Sequence, residues 1–300
     1  MKRFLTLLIL IFAFSLTLTD TAGLLNCALA ADVTDYPKAS GKKVKKSSTA
    51  LIDYSNASDG YVMVKYLKST KDKLKAQVTG PTKVTYTYTL KAKEYITFPL
   101  SEGNGTYKVT VFKAIGNTSR MSTAVSVSFT AKLSDEFAPF LRPNQYVDYK
   151  SSSAVLEKAE ELIGDKKDTL DKVSSVYSYV VDNFTYDTQK AKTVQSGYVP
   201  DVDEILQKKT GICFDYASVM ASMLRANGVP VKLVVGYAGK VYHAWLNVYS
   251  EKDGWLDAVI FFDGNSWKLM DPTLASSGHQ SPEVLQYIGD SSNYNAKFSY

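Results

Sequence analysis

The sequence predicts an α+β protein in which an antiparallel β-sandwich comes first and a half built of helices followed by strands comes second. Between Leu51 and Leu133 short segments alternate in side-chain type or are rich in β-branched and aromatic residues, whereas after residue 150 apolar residues recur every three or four positions. Turn residues, Asp59-Gly60, Gly80-Pro81 and Gly103-Asn104-Gly105, punctuate the first half.

The strand-like segments there are YVMVKY, KVTYTYTL, EYITFPL, TYKVTVF and AVSVSFTA. About six or seven strands at roughly ten-residue spacing make an Ig-like sandwich over residues 51–133. Its tyrosines could form a binding face, but tyrosine also suits a half-buried strand, and that reading is preferred. Further on, SAVLEKAEELIG ends at Gly164, and DTLDKVSSVYSYVVDNF places Val173, Val176, Tyr177, Val180 and Phe184 at helical steps. Another helix begins near Gly211, with Ala217, Met220, Ala221 and Leu224 as its buried stripe and Asn227-Gly228 followed by Pro230 as its close. VKLVVGY, VYHAWLNVY and SWKLMD read as strands, so residues 134–300 make the α+β half.

The N-terminus decides what a cysteine can be. Lys2 and Arg3 precede an apolar run from Phe4 to Leu18, and Ala28-Leu29-Ala30 offers a cleavage site, which reads as a secretory signal peptide over residues 1–30. The run falls short of the ~20 residues needed to span a bilayer. No stable membrane insertion is therefore expected after cleavage, and the mature protein is expected to be secreted or associated with the cell envelope. A lipid-attachment reading of Leu24-Leu25-Asn26-Cys27 is discounted, because Asn26 sits where bacterial lipoproteins usually have Gly or Ala.

Loss of residues 1–30 removes Cys27 and leaves Cys213 alone, which excludes an internal disulfide. Such a cysteine is either a small buried hydrophobe or a reactive thiol. The formal net charge is +5, and the visible cluster is KASGKKVKKSS, with Lys38, Lys42, Lys43, Lys45 and Lys46. This run reads as a solvated linker over residues 31–50, or more sharply as a segment drawn to an anionic envelope polymer or lipid surface. There is no phosphate loop or basic-aromatic motif, so a nucleic-acid partner is not expected.

Cys213 stands at a helix start, where free N–H groups and the helix dipole favour an anion. The dipole contributes roughly 0.3–1 kcal/mol, while taking a thiol from ~8.5 to the ~3–4 of His-paired cysteines requires about 7 kcal/mol. A nearby imidazole has to supply the rest. His243 lies on a strand whose one face carries His243, Trp245 and Asn247 and whose other carries Tyr242, Ala244, Leu246 and Val248. His279, in ASSGHQSP, reads as a loop residue, and Asp271 ends a strand before Pro272. A nucleophile, a base and a residue that orients the base is what acyl transfer needs, and Cys213, His243 and Asp271 offer that set.

The segments GICFDYASVMASMLRANGVPVKLVVGY, HAW and WKLMDPT closely resemble the bacterial transglutaminase-like superfamily, over about residues 150–275. The resemblance implies a papain-like core in which the Cys213 thiolate attacks an amide carbonyl, His243 protonates the leaving amine and Asp271 holds the ring. The Cys213 N–H would be one oxyanion donor, with Tyr186, Tyr198 and Trp245 all candidates for the second. Asp215 and Tyr216 match the family's D-Y and, with Trp245, would support the site or touch substrate. The expected partner is a protein or peptide substrate. No metal or other cofactor is expected: calcium dependence does not carry over, and a lone Cys-His-Asp set is a poor zinc signature. A non-catalytic envelope-binding or scaffold module that retains the fold is the alternative reading.

Overall fold

The computed structural model describes residues 36–116, 118–257 and 294–300, together with the backbone of 260–262 and 267–269. The expected signal peptide, Cys27, Asp271 and His279 lie outside the described residues. Among those residues no helix is long and apolar enough to cross a membrane.

The first half contains β1 (Val44–Lys46), β2 (Ala50–Asp53), β3 (Tyr61–Tyr66), β4 (Leu74–Thr79), β5 (Thr85–Thr89), β6 (Tyr95–Pro99), β7 (Gly105–Ala114) and β8 (Met121–Ala131). They form two antiparallel four-stranded sheets, ordered β1-β2-β3-β6 and β5-β4-β7-β8. The seven strands β2–β8 are shared between the sheets in an Ig-like arrangement. Alternation drives the layering: Ile52, Val62, Val64, Ala76, Val78, Phe98, Val109 and Val111 point inward and are buried. Tyr61, Tyr66, Tyr86, Tyr88 and Tyr107 are buried with them, so these tyrosines are core residues.

The lysine run expected as linker contributes a strand. Ser47 Oγ accepts the N–H groups of Thr49 and Ala50 and closes a tight turn, while Ala50 and Ile52 are fixed in the core, so the preceding residues are laid along β2. All three side chains of β1 remain exposed, and composition therefore carries only their solvation.

The second half runs α1 (Ala154–Ile163), α2 (Thr169–Asn183), β9 (Thr185–Tyr186), α3 (Thr188–Thr193), α4 (Val202–Lys208), β10 (Thr210–Gly211), α5 (Cys213–Arg225), β11 (Val231–Ala238), β12 (Val241–Ser250), β13 (Gly254–Leu256), β14 (Ile260–Phe262), β15 (Trp267–Leu269) and β16 (Tyr294–Ser299). Asp168 caps α2 by accepting from the Leu170 and Asp171 N–H groups, and the predicted stripe of Val173, Val176, Tyr177 and Val180 is buried. The main sheet is antiparallel, ordered β13-β12-β11-β16. Between this sheet and helices α1, α2 and α4 lies α5. Being covered on all sides, it buries every residue from Asp215 to Arg225 rather than a single stripe.

Both halves draw on one hydrophobic core. The connecting segment is itself buried, at Ala138, Phe140, Tyr146, Val147 and Tyr149. Tyr88 stacks on Phe98 within the sandwich and on Tyr146 of the connector, and Tyr146 meets Phe214 of α5 at a centroid distance of 5.2 Å.

Candidate active site

The start of α5 is built by several short elements. Lys209 ends α4 in the left-handed region at φ 49°, which turns the chain into β10, paired in parallel with β9. The Asp187 N–H donates to the Gly211 carbonyl at 2.8 Å, and Ile212 remains extended at φ −102°, ψ 175°. Helical geometry starts at Cys213, whose side chain is half-buried and not in a disulfide.

Asp215, two residues on, holds this start in place. Its Oδ2 accepts the Ile212 N–H at 2.8 Å and the Lys190 ammonium at 2.6 Å, and its Oδ1 accepts the Tyr198 hydroxyl at 2.7 Å. The carboxylate is fully buried, which is tolerable only because each oxygen is occupied and a cation is in contact. Asp187 positions that cation by capping α3, accepting from the Lys190 N–H at 2.8 Å. Lys190 Nζ also donates to Tyr198 Oη at 2.8 Å. Burial and the Asp215 hydrogen bond raise Tyr198 above the usual phenol range, so the hydroxyl keeps its proton and donates it to Asp215. Tyr198 is therefore not the second oxyanion donor: its hydroxyl hydrogen is already committed.

Tyr216 is fully buried and packs edge-on against Phe184 and Tyr186. Trp245 is buried with Val234, its ring edge-on to Tyr294. Asp215 is buried with them.

Ala244, Leu246 and Val248 of β12 join the core around α5, and Trp245 points to the other side of the sheet. Tyr242 shares the α5 side, is 57% exposed, and lies edge-on to Tyr237 at 5.5 Å. Its pKa is raised by burial first, then by the neighbouring Tyr237 and Cys213. His243, one residue on and in register with Gly236, is buried and leaves the strand on the Trp245 side. The strand that carries the imidazole packs against α5, but His243 leaves it on the face away from that helix, and Asp271 falls outside the described residues. Sequence reasoning missed Lys190 and Tyr242. Lys190 gave no signal in a lysine-rich chain, and Tyr242 was visible as the neighbour of His243 on the face shared with Ala244.

Among the described residues no group of three or more His, Cys, Asp or Glu side chains is arranged to hold a metal ion.

Residues 157–272 match the family described as Transglutaminase-like superfamily. The uncharacterized protein YebA of Bacillus subtilis is 31% identical over 118 residues, which is 33% of this chain and 16% of that protein. A protein-glutamine gamma-glutamyltransferase of Pseudomonas aeruginosa is 32% identical over 68 residues, 18% of this chain and 10% of that protein. This chain thus spans less than a fifth of the length of both curated relatives. A solved structure of a proposed cysteine protease from Cytophaga hutchinsonii is 17% identical, with a TM-score of 0.36 and 71% of each chain covered.

Proposed function

We propose that the protein is an exported thiol enzyme that acts on amide bonds of proteins or peptides through a thioester at Cys213. The carrying observation is a half-exposed cysteine at the first position of a helix that is buried from Asp215 to Arg225, inside the transglutaminase-like segment. The thiolate attacks the amide carbonyl carbon, the C–N bond breaks, and the amine departs with a proton from His243, a step that requires the imidazole to turn from the Trp245 side of β12 toward the thiol. An amine or a water molecule then attacks the thioester and restores the thiol. Asp271 orients the imidazole. The oxyanion is met by the Cys213 N–H and by the Tyr242 hydroxyl, which by strand alternation shares the α5 side of β12 with Ala244. Export rests on the charged and apolar N-terminal run.

Iodoacetamide labelling at neutral pH tests the nucleophile. Cys213 is expected to react far faster than free cysteine, and His243→Ala to remove the difference. Equal rates in both proteins would leave a scaffold or binding module as the reading. Incubation with a glutamine-rich protein and a fluorescent primary amine then separates the two outcomes of the thioester: covalent label means transfer, and new chain termini mean hydrolysis. Tyr242→Phe is expected to lower turnover roughly 10²-fold or more, with labelling unchanged.

A further inference from the structure

The charges of this molecule are segregated along the chain. Residues 36–133 carry 17 Lys and Arg against 5 Asp and Glu, a net of +12, whereas residues 134–300 carry 16 against 22, a net of −6. The sandwich is therefore a strongly cationic body joined to an acidic catalytic half. The eight sandwich strands hold a single carboxylate, Asp53, and it is buried, accepting from the N–H groups of Gly41 and Ser55. Outside the strands, Asp72 is paired with Lys113 at 2.6 Å, and Glu102 accepts the Tyr86 hydroxyl.

Apart from Lys65 and Lys113, which are half-buried, every Lys and Arg of residues 36–133 is exposed. These charges occur on both sheets and along an edge. Lys46, Leu51, Lys65 and Tyr95 lie in one register row across β1-β2-β3-β6, and β1 adds Lys45 at the edge. On the second sheet Lys75 and Lys108 stand among Thr79, Thr85, Thr89 and Ser128, all positions on its outward side. Two ammonium groups among these hydroxyls, with no acid in the four strands, are suited to phosphate oxygens.

We infer that the β-sandwich is a docking module for a linear, base-free polyanion bearing phosphate groups, which holds the acidic transglutaminase-like half close to such a polymer. The distribution selects a linear occupant, because a planar membrane can touch one sheet at a time, while a flexible chain can follow the edge strand and both faces. The exposed large hydrophobics of the sandwich are Val44, Tyr95 and Ile115, which are scattered and form no patch for insertion into lipid. This inference does not depend on Cys213 being catalytic.

Fluorescently labelled long-chain sodium polyphosphate tests it with the full chain, by anisotropy. Binding is expected at about 50 mM salt and should weaken by roughly tenfold or more at about 200 mM. Lys75→Glu/Lys108→Glu should weaken it at least fivefold, with unchanged thermal unfolding. Lys166→Glu/Lys167→Glu, an equal reversal at exposed sites of the acidic half, should change it less than twofold, and Cys213→Ser should leave it unaltered. No binding at low salt, or equal losses in the two charge-reversal pairs, would overturn the inference. Tighter binding to anionic phosphatidylglycerol vesicles or to single-stranded DNA than to polyphosphate would also overturn it, in favour of a lipid or nucleic-acid surface.

Discussion

Gly211 sits where any side chain would displace the start of α5. A Cβ built there would lie 2.6 Å from the Asp215 Cβ and 2.8 Å from its Oδ2, so the glycine makes room for the carboxylate that holds the turn. The glycine two residues before the thiol and the aspartate two residues after it are thereby one device, completed by Lys190 from another helix. Lys190→Met would leave a fully buried carboxylate with only the Ile212 N–H and the Tyr198 hydroxyl. A loss of about 3 kcal/mol is expected in urea unfolding, with Lys190→Arg recovering a large part of it because a cation is retained. If Lys190→Met unfolds at the wild-type urea concentration, the ion pair is not what fixes the helix start. Glycine, cysteine and aspartate could be read together from GICFD; the lysine, 25 residues earlier, could not, because its partner is chosen by how α3 packs.

The arginine that closes α5 governs how that helix joins its neighbours. Arg225 is fully buried, and its guanidinium donates to the main-chain oxygens of Val231, Arg142 and Tyr300. One side chain therefore ties α5 to the connecting segment and to residues at the edges of β11 and β16. Burial lowers its pKa to about 10, which leaves it charged at neutral pH. Each charged hydrogen bond of this kind contributes roughly 1.5–3 kcal/mol, and the carbonyls stay buried when the donor is lost. Arg225→Leu is expected to cost about 3 kcal/mol or more, and a variant as stable as the parent in chemical denaturation would refute this account. Helical periodicity located α5 correctly but assigned it one buried stripe. Its polar face is buried as well, because the sheet, three helices and the connector enclose it, and the period of a sequence does not count how many neighbours a helix has.

The two halves share a core, and that has a consequence for the whole molecule. Tyr88 of β5 touches Phe98 inside the sandwich, Tyr146 of the connector and Tyr300 beyond β16. Its hydroxyl is buried with no hydrogen-bond partner among the described residues. Tyr88→Ala is expected to lower stability by roughly 3–5 kcal/mol while unfolding remains one transition monitored by both far-ultraviolet circular dichroism and tryptophan fluorescence. Tyr88→Phe, which deletes only the unpartnered oxygen, should be neutral or slightly stabilising. Two separate transitions in the wild-type protein would show that the shared core does not couple the halves.

By itself the sequence determined the order of sandwich, helices and sheet, the inward set of β12 at Ala244, Leu246 and Val248, and the place of Cys213 at a helix start. These follow from periods of two and 3.6 and from turn residues, which act between near neighbours. Only the tertiary structure decided that the lysine run pairs as β1, that Tyr198 is bound to Asp215, and that Arg225 bridges three segments. Each of these depends on hydrogen bonds between distant residues, whose partners are fixed by the packing of whole elements, and local spacing holds no record of that choice.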